Sequence, residues 1–234
     1  YTNTVDTSVT LKIITTSEST DATHQAQDIT TTPWTGGDGH DLITGSTGNE
    51  TLTGGAGDDI MFGGTGVDIL NGDAGNDILL GGTGADTLNG GTGSDVMFGD
   101  TGGDTFEWNL GDTGNDFIND FALAADVLDL ADLLVGESSD AASLDEYLTF
   151  SAITGGGTLI TVDTNGAAAG GEGQTITLEN ITYASWATYA GGTGSDSDII
   201  TKMLSDTSLI VNMNTAPPVA VDDAINATED TVFT

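Results

Sequence analysis

The sequence predicts an all-β fold, a parallel β-roll (a β-solenoid of short strands) that ends in a β-rich cap. Three observations predict this fold. Residues 36–107 form eight consecutive nine-residue units, and residues 111–119 repeat the pattern a ninth time. The first and fourth residues of every unit are glycine, and the eighth is a large apolar residue. The sixth residue is acidic in all nine units, and repeats of fixed length are typical of solenoids.

Each unit divides into a turn and a strand. Glycines in the first half allow backbone conformations closed to other residues, which predicts a tight turn. The second half, such as Asp77-Ile78-Leu79-Leu80, is short, apolar and alternating, which indicates a strand. Two units close one coil, eight units make about four coils, and coils stack about 4.8 Å apart. The eighth positions then point inward as a core: Ile43, Leu52, Met61, Leu70, Leu79, Leu88, Met97, Phe106 and Ile118.

The acidic residues at the sixth position determine the chemistry. Because units two apart lie above one another, Asp59 stacks on Asp41 at one edge, and Asp68 stacks on Glu50 at the other. Carboxylates at strand spacing repel and cannot all ionise without a counterion. Carboxylates combined with carbonyls from the glycine turns, without His or Cys, form a hard-cation site, and this flexible all-oxygen set favours Ca²⁺ over Mg²⁺.

These units resemble the repeats-in-toxin (RTX) nonapeptide GGxGxDxUx, a calcium-binding parallel β-roll repeat, over residues 36–119. The resemblance implies that each Ca²⁺ lies between units i and i+2. The lower turn supplies the carbonyls of positions 2 and 4, the upper turn supplies those of positions 1 and 3, and both supply their acid. This gives six sites within the first eight units, and a seventh if the ninth unit resumes the coil through Asp116.

The candidate metal ligands follow from that scheme. The acids are Asp41, Glu50, Asp59, Asp68, Asp77, Asp86, Asp95, Asp104 and Asp116. The carbonyl donors are Gly37, Gly39, Ser46, Gly48, Gly55, Gly57, Gly64, Gly66, Gly72, Asp73, Ala74, Gly75, Gly82, Gly84, Gly91, Gly93, Asp100 and Gly102. Glu50 departs from the pattern, and its extra methylene is expected to move the carboxylate outward from the site it shares with Asp68.

Composition excludes several classes of partner. The chain has 37 acidic residues, only two basic residues (Lys12 and Lys202) and a net charge of −35. Nucleic acids and anionic membranes are excluded, because both require cations on the protein. Extracellular calcium modules usually bind with a Kd of about 10⁻⁴ to 10⁻³ M. The chain is therefore expected to be largely unfolded in a low-calcium cytosol and to fold outside the cell.

Other stabilising and targeting features are missing from the sequence. It contains no Cys, so calcium and not disulfides is the expected stabiliser. The sequence has no run of 18 apolar residues, so it predicts no membrane-spanning helix. Because Tyr1 is not an initiator Met and no signal peptide is visible, we expect a piece of a longer, secreted protein.

The expected organisation has four parts. Residues 1–35 supply a strand at 9–15, a loop at 17–27 and an N-terminal cap, with Trp34 covering the open end of the core, since a solenoid needs both ends covered. Residues 36–119 are the roll. Residues 120–214 form the C-terminal cap, whose bulk comes from Phe106, Trp108, Phe117 and Phe121. Residues 215–234 are a linker and the start of another repeat.

Within the cap the pattern predicts helices at 140–148 and 196–204, antiparallel strands at 148–153, 158–163 and 174–179, and a last strand at 208–212. The runs DTFEWN, GNDFINDF and DVLDLADLLVGE, followed by SDIITKMLSDTSLIVN, resemble the C-terminal target domain of large type I secreted RTX adhesins. The resemblance implies export directly to the outside, C-terminus first, with the cap nucleating calcium-driven folding. It also implies that this domain ends the protein, whereas residues 213–234 follow it here.

The run NTAPPVAVDDAINATEDT resembles the opening of a cadherin-like tandem repeat, of the kind that long surface adhesins use as stalks. In that interpretation Asp222, Asp223, Glu229 and Asp230 hold an interdomain Ca²⁺. The alternative is a disordered tail.

Catalysis finds little support in the sequence. His24 and His40 are the only histidines, neither HExxH nor GxSxG occurs, and His40 is expected to be solvated. We therefore expect a non-catalytic calcium-binding module of a large bacterial surface adhesin, located outside the cell or on its surface. Its partners would be calcium, the type I secretion machinery and, through other domains, a host or surface ligand in adhesion or biofilm.

Two alternatives remain open. The module is the secretion and folding appendage of an RTX hydrolase whose catalytic domain lies upstream, or it is an ice-binding solenoid. The second rests on a row of threonines at one edge of the roll: Thr47, Thr65, Thr83 and Thr101.

Overall fold

The computed structural model describes residues 25–26, 33–134, 144–163, 173–191 and 195–211. These form a parallel β-solenoid of about five turns, which confirms the predicted all-β roll. Sheet A contains, in spatial order, β1 (Gln25–Ala26), β3 (Leu42–Thr44), β5 (Ile60–Thr65), β7 (Ile78–Thr83), β9 (Val96–Thr101), β11 (Asn115–Ile118), β15 (Gln174–Leu178), β14 (Thr158–Val162) and β13 (Leu148–Ala152). Sheet B contains β2 (Trp34–Asp38), β4 (Thr51–Ala56), β6 (Ile69–Ala74), β8 (Thr87–Asn89), β10 (Thr105–Glu107), β12 (Val127–Asp129) and β16 (Leu209–Ile210).

The register follows the repeat, with two units in each coil. Ile60 lies opposite Ile78, and Ile78 lies opposite Val96, so the second halves of odd units lie in sheet A and those of even units lie in sheet B. The ninth unit resumes the coil, because β11 pairs in parallel with β9 and places Phe117 opposite Val96. Residues 108–110 are an insertion that lengthens this last step.

The core lies between the two sheets and is as narrow as one side chain per strand. All nine eighth-position residues are fully buried, as predicted. Trp34 packs partly buried against the first coil, and Phe106, Trp108 and Phe121 are fully buried at the other end. Phe117 was predicted in this cluster, and the structure corrects that. It occupies the seventh position of its unit, so its side chain points to the outer face of sheet A and is only partly buried.

The two outer faces of the roll differ in polarity. Side chains alternate along a strand, so the seventh and ninth positions of each unit point away from the core. On sheet A these positions are mostly apolar and partly exposed: Leu42, Ile60, Phe62, Ile78, Leu80, Val96, Phe98 and Phe117. On sheet B they are mostly polar: Thr51, Thr53, Asn71, Thr87, Asn89, Thr105 and Glu107. Odd and even units are therefore not equivalent.

The cap continues sheet A with antiparallel strands β13, β14 and β15, as predicted. Helices α1 (Tyr183–Ala190) and α2 (Asp196–Asp206) pack on it, with Trp186 fully buried against Phe121 and Phe150. Helix α2 agrees with the predicted helix at 196–204. Helix α1 is absent from the sequence-based prediction, and its available signal is the N-cap Thr182, which accepts a hydrogen bond from the Ser185 N–H.

Several predicted strands and helices differ from those of the structure or lie outside the described residues. Strand β1 falls inside the predicted loop at 17–27, and β16 is shorter than the predicted strand at 208–212. The predicted strand at 9–15, residues 140–143 of the predicted helix at 140–148 and the cadherin-like segment lie outside the described residues. Of the rest of that helix, residues 145–147 form a turn, and Leu148 already begins β13. Within the described ranges, no helix is long and apolar enough to cross a membrane.

Candidate metal centre

The sixth-position acids of each edge form a ladder held by one repeated hydrogen bond. The backbone N–H of each acid donates to Oδ1 of the acid two units later. The N–O distances are 2.7–2.9 Å for the pairs 41–59, 50–68, 59–77, 68–86, 77–95 and 86–104. Each of these acids is at least nine-tenths buried. The structure thus stacks the acids in the two rows that the repeat predicts.

This bond orients one carboxylate oxygen and leaves the other without a donor. The Oδ2 atoms of six acids are buried and accept no hydrogen bond: Asp59, Asp68, Asp77, Asp86, Asp95 and Asp104. A buried carboxylate oxygen without a partner loses its hydration and gains nothing in exchange. The ladders therefore need protons or cations along both edges.

A carbonyl faces the Oδ2 atoms of Asp59, Asp68, Asp77 and Asp86 across the coils. A Cβ added at Gly54 would lie 2.2 Å from Asp59 Oδ2 and 2.8 Å from the carbonyl oxygen of Gly72. A Cβ added at Gly72 would lie 2.3 Å from Asp77 Oδ2 and 2.5 Å from the carbonyl oxygen of Gly90. A carboxylate oxygen and a carbonyl from the next coil therefore converge on one point. The convergence recurs at the first glycine of the first six units: Gly36, Gly45, Gly54, Gly63, Gly72 and Gly81.

The turns that supply the other carbonyls have positive φ angles, which glycine adopts most easily. Gly55 and Gly57 have φ values of 114° and 126°. A Cβ at Gly57 would lie 2.0 Å from the Gly39 carbonyl oxygen, so the coils approach too closely for a side chain. Asp73 and Asp100 occupy the second position with φ values of 73° and 65°, which shows that the turn is kept even without glycine.

Burial changes the protonation of the ladders. It raises the pKa of Asp59 and Asp68 to about 6 and that of Asp77 to about 7. The N–H donor of the preceding coil opposes this shift, and the neighbouring carboxylates add to it. Asp104 behaves in the same way, with a pKa of about 7. Without a metal, burial thus favours the protonated form of these four acids up to about pH 6 to 7.

The donor set fits calcium. It consists of carboxylate and carbonyl oxygens. Among the described residues, no group of three or more His, Cys, Asp or Glu side chains is arranged to hold a metal. Backbone carbonyls must therefore supply most of the ligands. Hard oxygen donors on adaptable turns are the ligands that Ca²⁺ prefers.

Glu50 does not behave as expected from its length. Its carboxylate is not displaced outward, since the residue is only 6% exposed. The longer side chain folds back onto its own turn, where Oε2 accepts from the Ser46 N–H at 3.0 Å and Oε1 accepts from Ser46 Oγ at 2.9 Å. Its backbone N–H still donates to Asp68 Oδ1. Ser46, which stands where most units have glycine, supplies this compensating donor.

The ladders end differently from the way they begin. Asp116 accepts the Asp95 N–H on Oδ1 at 3.0 Å, and its Oδ2 accepts from Trp108 Nε1 at 2.7 Å and from Gln174 Nε2 at 2.5 Å. On the other edge Asp126 takes the equivalent place. Its Oδ1 accepts the Asp104 N–H at 2.9 Å, and its Oδ2 accepts the Ala122 N–H at 2.7 Å.

Asp126 was not among the predicted site residues. Residues 120–126 contain no glycine, so the turn half of a repeat unit is missing there. The available signal is the second half alone, since Asp126-Val127-Leu128 has the acid and the apolar residue at the repeat spacing. Leu128 lies opposite Phe106 and continues the core.

His40 belongs to a separate, exposed row at the fifth position. Its Nδ1 accepts the Asp58 N–H at 2.8 Å, Asp58 Oδ1 accepts the Asn76 N–H at 2.9 Å, and Asn76 Oδ1 accepts the Ser94 N–H at 3.0 Å. This row repeats the ladder pattern on the surface with uncharged or solvated groups.

Comparison with known proteins gives two findings. The family model described as RTX calcium-binding nonapeptide repeat (4 copies) matches residues 35–70 and 71–106. Among solved structures, the chain is similar to the AlgE6R3 and AlgE6R2 subunits of the mannuronan C5-epimerase from Azotobacter vinelandii. The first is 23% identical with a TM-score of 0.29, covering 87% of this chain and 99% of that one. The second is 24% identical with a TM-score of 0.27, covering 76% and 95%. A search of curated proteins gives no match.

Proposed function

Because residues 35–106 are RTX calcium-binding nonapeptide repeats, we propose that this chain is a non-catalytic, calcium-dependent folding module of a large secreted bacterial surface adhesin. One observation carries the proposal. Six buried carboxylate oxygens lie along the edges of the roll without a hydrogen-bond donor. Carbonyls of the next coil face the ladder at the first glycines of units 1 to 6. Ions in these places would complete the packing of successive coils.

The ligand assignment pairs units two apart, from units 1 and 3 to units 6 and 8. In the pair of units 3 and 5, Asp59 and Asp77 supply the carboxylates and Gly72 supplies the facing carbonyl. The carbonyls of Gly55, Gly57 and Ala74 complete the expected set. Bound calcium would neutralise the buried carboxylates, which this chain cannot do with its own side chains because it has only two basic residues.

Calcium binding would act as a folding switch. The chain carries a net charge of −35, and self-repulsion opposes compaction. Extracellular calcium modules bind at about 10⁻⁴ to 10⁻³ M, far above the calcium concentration of cytosol. The module would therefore leave the cell unfolded through the type I secretion machinery and fold outside, where compaction prevents its return.

The adhesin assignment rests on the resemblance of residues 104–212 to the target domain of type I secreted adhesins. The packing of this segment supports it, since β11 and β12 close the roll and β13 to β15 extend sheet A. The full-length gene distinguishes an adhesin from a hydrolase appendage. Tandem repeats beyond this chain would support the adhesin, and one upstream catalytic domain would overturn it.

Calcium titration tests the folding switch. Protein treated with EDTA is titrated with Ca²⁺ while far-UV circular dichroism is recorded, and Mg²⁺ serves as the control ion. We expect a cooperative gain of β signal at roughly millimolar Ca²⁺, with Mg²⁺ ineffective because it demands rigid octahedral coordination. A calcium-free protein that is fully folded, with a flat titration, would contradict the proposal.

A second candidate, ice binding, is favoured by one observation. Thr65, Thr83 and Thr101 are exposed and lie directly opposite one another on β5, β7 and β9. Their spacing equals the strand spacing, which makes a regular row at the edge of sheet A. A thermal-hysteresis assay on the calcium-loaded protein tests it. Activity that is lost in Thr65→Tyr and Thr83→Tyr would support ice binding, and no hysteresis in the unsubstituted protein would reject it.

A further inference from the structure

We propose that both carboxylate ladders end in protein hydrogen-bond donors and not in calcium, so that Asp116 and Asp126 are metal-free closures of the roll. This inference rests on the proposed function, because it concerns where calcium binding stops. It also departs from the family scheme, in which a ninth unit that resumes the coil through Asp116 adds a seventh site.

The first argument is the state of the Asp116 carboxylate. Asp95, one coil earlier on the same edge, has a buried Oδ2 with no hydrogen-bond donor. The equivalent oxygen of Asp116 accepts two donors, the indole N–H of Trp108 and the amide of Gln174. Asp116 is fully buried, and these two N–H groups are the side-chain donors that partly offset the loss of hydration of its carboxylate. The oxygen that would face a cation is already engaged.

The second argument is the position of Trp108 in the repeat. It directly follows the last residue of the eighth unit, which is the place of the first glycine in every earlier unit. In seven of those eight units a Cβ at the first glycine would lie 2.2–2.7 Å from Oδ2 of the ladder acid. Here an indole ring stands in its place, fully buried, and donates to the ladder acid of the next unit. The three-residue insertion 108–110 makes room for it.

The same solution appears at the other edge with different chemistry. Asp126 is 3% exposed, and its Oδ2 accepts the backbone N–H of Ala122. This donor comes from the glycine-free turn 120–126 that replaces the usual repeat turn. Two unrelated segments thus provide the same kind of N–H donor at the end of each ladder.

The third argument is the facing carbonyl. A Cβ added at Gly54 or Gly72 would meet the ladder oxygen and a carbonyl from the next coil. At Gly90 the three nearest atoms all belong to Asp95, and at Gly99 they all belong to Asp104. The converging carbonyl that marks the six earlier positions is not among them. Together with the engaged Oδ2 atoms of Asp116 and Asp126, this difference leads us to expect calcium sites between units 1 to 8 only.

A count of bound calcium tests the inference on the full chain. Equilibrium dialysis followed by atomic absorption should give six ions per chain, one for each first glycine with a facing carbonyl. A seventh or eighth ion that persists when Asp222, Asp223, Glu229 and Asp230 are replaced by their amides would overturn the closure of the ladders while leaving the proposed function intact. No bound calcium would instead overturn the proposed function, so the two failures are distinguishable.

A matched pair of substitutions locates the boundary. Asp95→Asn and Asp116→Asn change neighbouring acids on the same edge. Asp95→Asn should lower the count by about one ion, because Asp95 belongs to the pair of units 5 and 7. Asp116→Asn should leave the count unchanged. A loss of one ion in Asp116→Asn with none in Asp95→Asn would overturn the inference.

Because Asp116→Asn places an amide against two N–H donors and can unfold the cap, a second measurement uses the unsubstituted protein. Nitrogen-15 NMR follows the indole N–H of Trp108, assigned with Trp108→Phe, in the calcium-loaded protein. We expect slow hydrogen exchange of this N–H, since it donates to Asp116 Oδ2 in the buried end of the roll. Fast exchange of this N–H in the folded, calcium-loaded protein would overturn the proposal, because Asp116 Oδ2 would then be free to face a cation.

Discussion

At the scale of single residues, the ladder acids are the most sensitive positions. Asp77 is 1% exposed, and its carboxylate bridges two coils: Oδ1 accepts the Asp59 N–H, and Oδ2 has no hydrogen-bond donor. It would contribute to the calcium sites on both sides of its coil. Its loss should therefore affect more than one ion.

We predict that Asp77→Asn raises the calcium midpoint of folding by about tenfold, which corresponds to roughly 1.4 kcal/mol. Asn preserves the volume and the acceptor for the Asp59 N–H but removes the charge. The control is Asp58→Asn, an exposed acid of the neighbouring position, which should leave the midpoint nearly unchanged. Equal effects of the two substitutions, in circular dichroism titrations, would show that net charge and not the ladder decides folding.

The first glycines are equally specific. Gly54 has no positive φ, so its requirement for glycine comes from space and not from backbone conformation. We predict that Gly54→Ala abolishes the site between units 3 and 5, because its Cβ would lie 2.2 Å from Asp59 Oδ2. Dialysis should show the loss of about one ion. Gly103→Ala is the control, since its Cβ would meet only the Ala125 carbonyl at 3.0 Å.

At the scale of elements, the ladders couple folding to pH. In the metal-free roll, burial raises the pKa of Asp59 and Asp68 to about 6 and that of Asp77 and Asp104 to about 7. In the unfolded chain these groups titrate near 3.8. A raised folded pKa stabilises the folded state fully below the unfolded pKa, and that stabilisation is lost as pH rises through 6 to 7.

We therefore predict that calcium-free protein is more folded at pH 5 than at pH 8. Calcium and protons would compete for the same oxygens, so the calcium midpoint should rise as the pH falls from 8 to 6. Circular dichroism of EDTA-treated protein at pH 5 and pH 8 checks the first statement. Calcium titrations at pH 8 and pH 6 check the second. A calcium-free protein that gains structure towards pH 8 would contradict this account.

The elements also show what could be predicted from sequence and why the rest could not. The coils are encoded locally, because the spacing from Gly54 to Met61 specifies turn, acid and inward residue within one unit. Contacts that depend on distant segments are not encoded in this way. Gln174 reaches Asp116 from a strand 58 positions later, and no repeat announces it.

The length of a side chain also does not predict its position where a neighbouring residue supplies hydrogen bonds to it. Glu50 stays buried because Ser46 supplies two donors, a pairing visible only once the turn is folded. Phe117 has the size of a core residue, but its seventh position turns it outward. Asp126 keeps the acid of the repeat without the glycines, so the pattern that identifies a unit does not include it.

At the scale of the whole molecule, charge and core size explain why calcium is needed. The core holds one inward residue per strand, and the chain carries a net charge of −35. We predict that small-angle X-ray scattering shows the radius of gyration falling by up to about two thirds when calcium is added, from the range of unfolded chains towards that of compact domains. Sodium chloride at matched ionic strength is the control, because it screens repulsion without filling the ladders. Equal compaction by salt would contradict a site-specific role for calcium.

The two unlike faces of the roll limit how a gene encoding it can lengthen or shorten. Duplicating a single unit would transfer every later unit to the opposite sheet, because successive units alternate between sheets. Outward Phe62 or Phe98 would then share a face with Asn71 and Glu107, and the cap would meet the wrong sheet. Duplicating two units preserves both faces and both ladders. Insertions and deletions that are retained should therefore add or remove an even number of repeat units, and related genes should differ by whole coils.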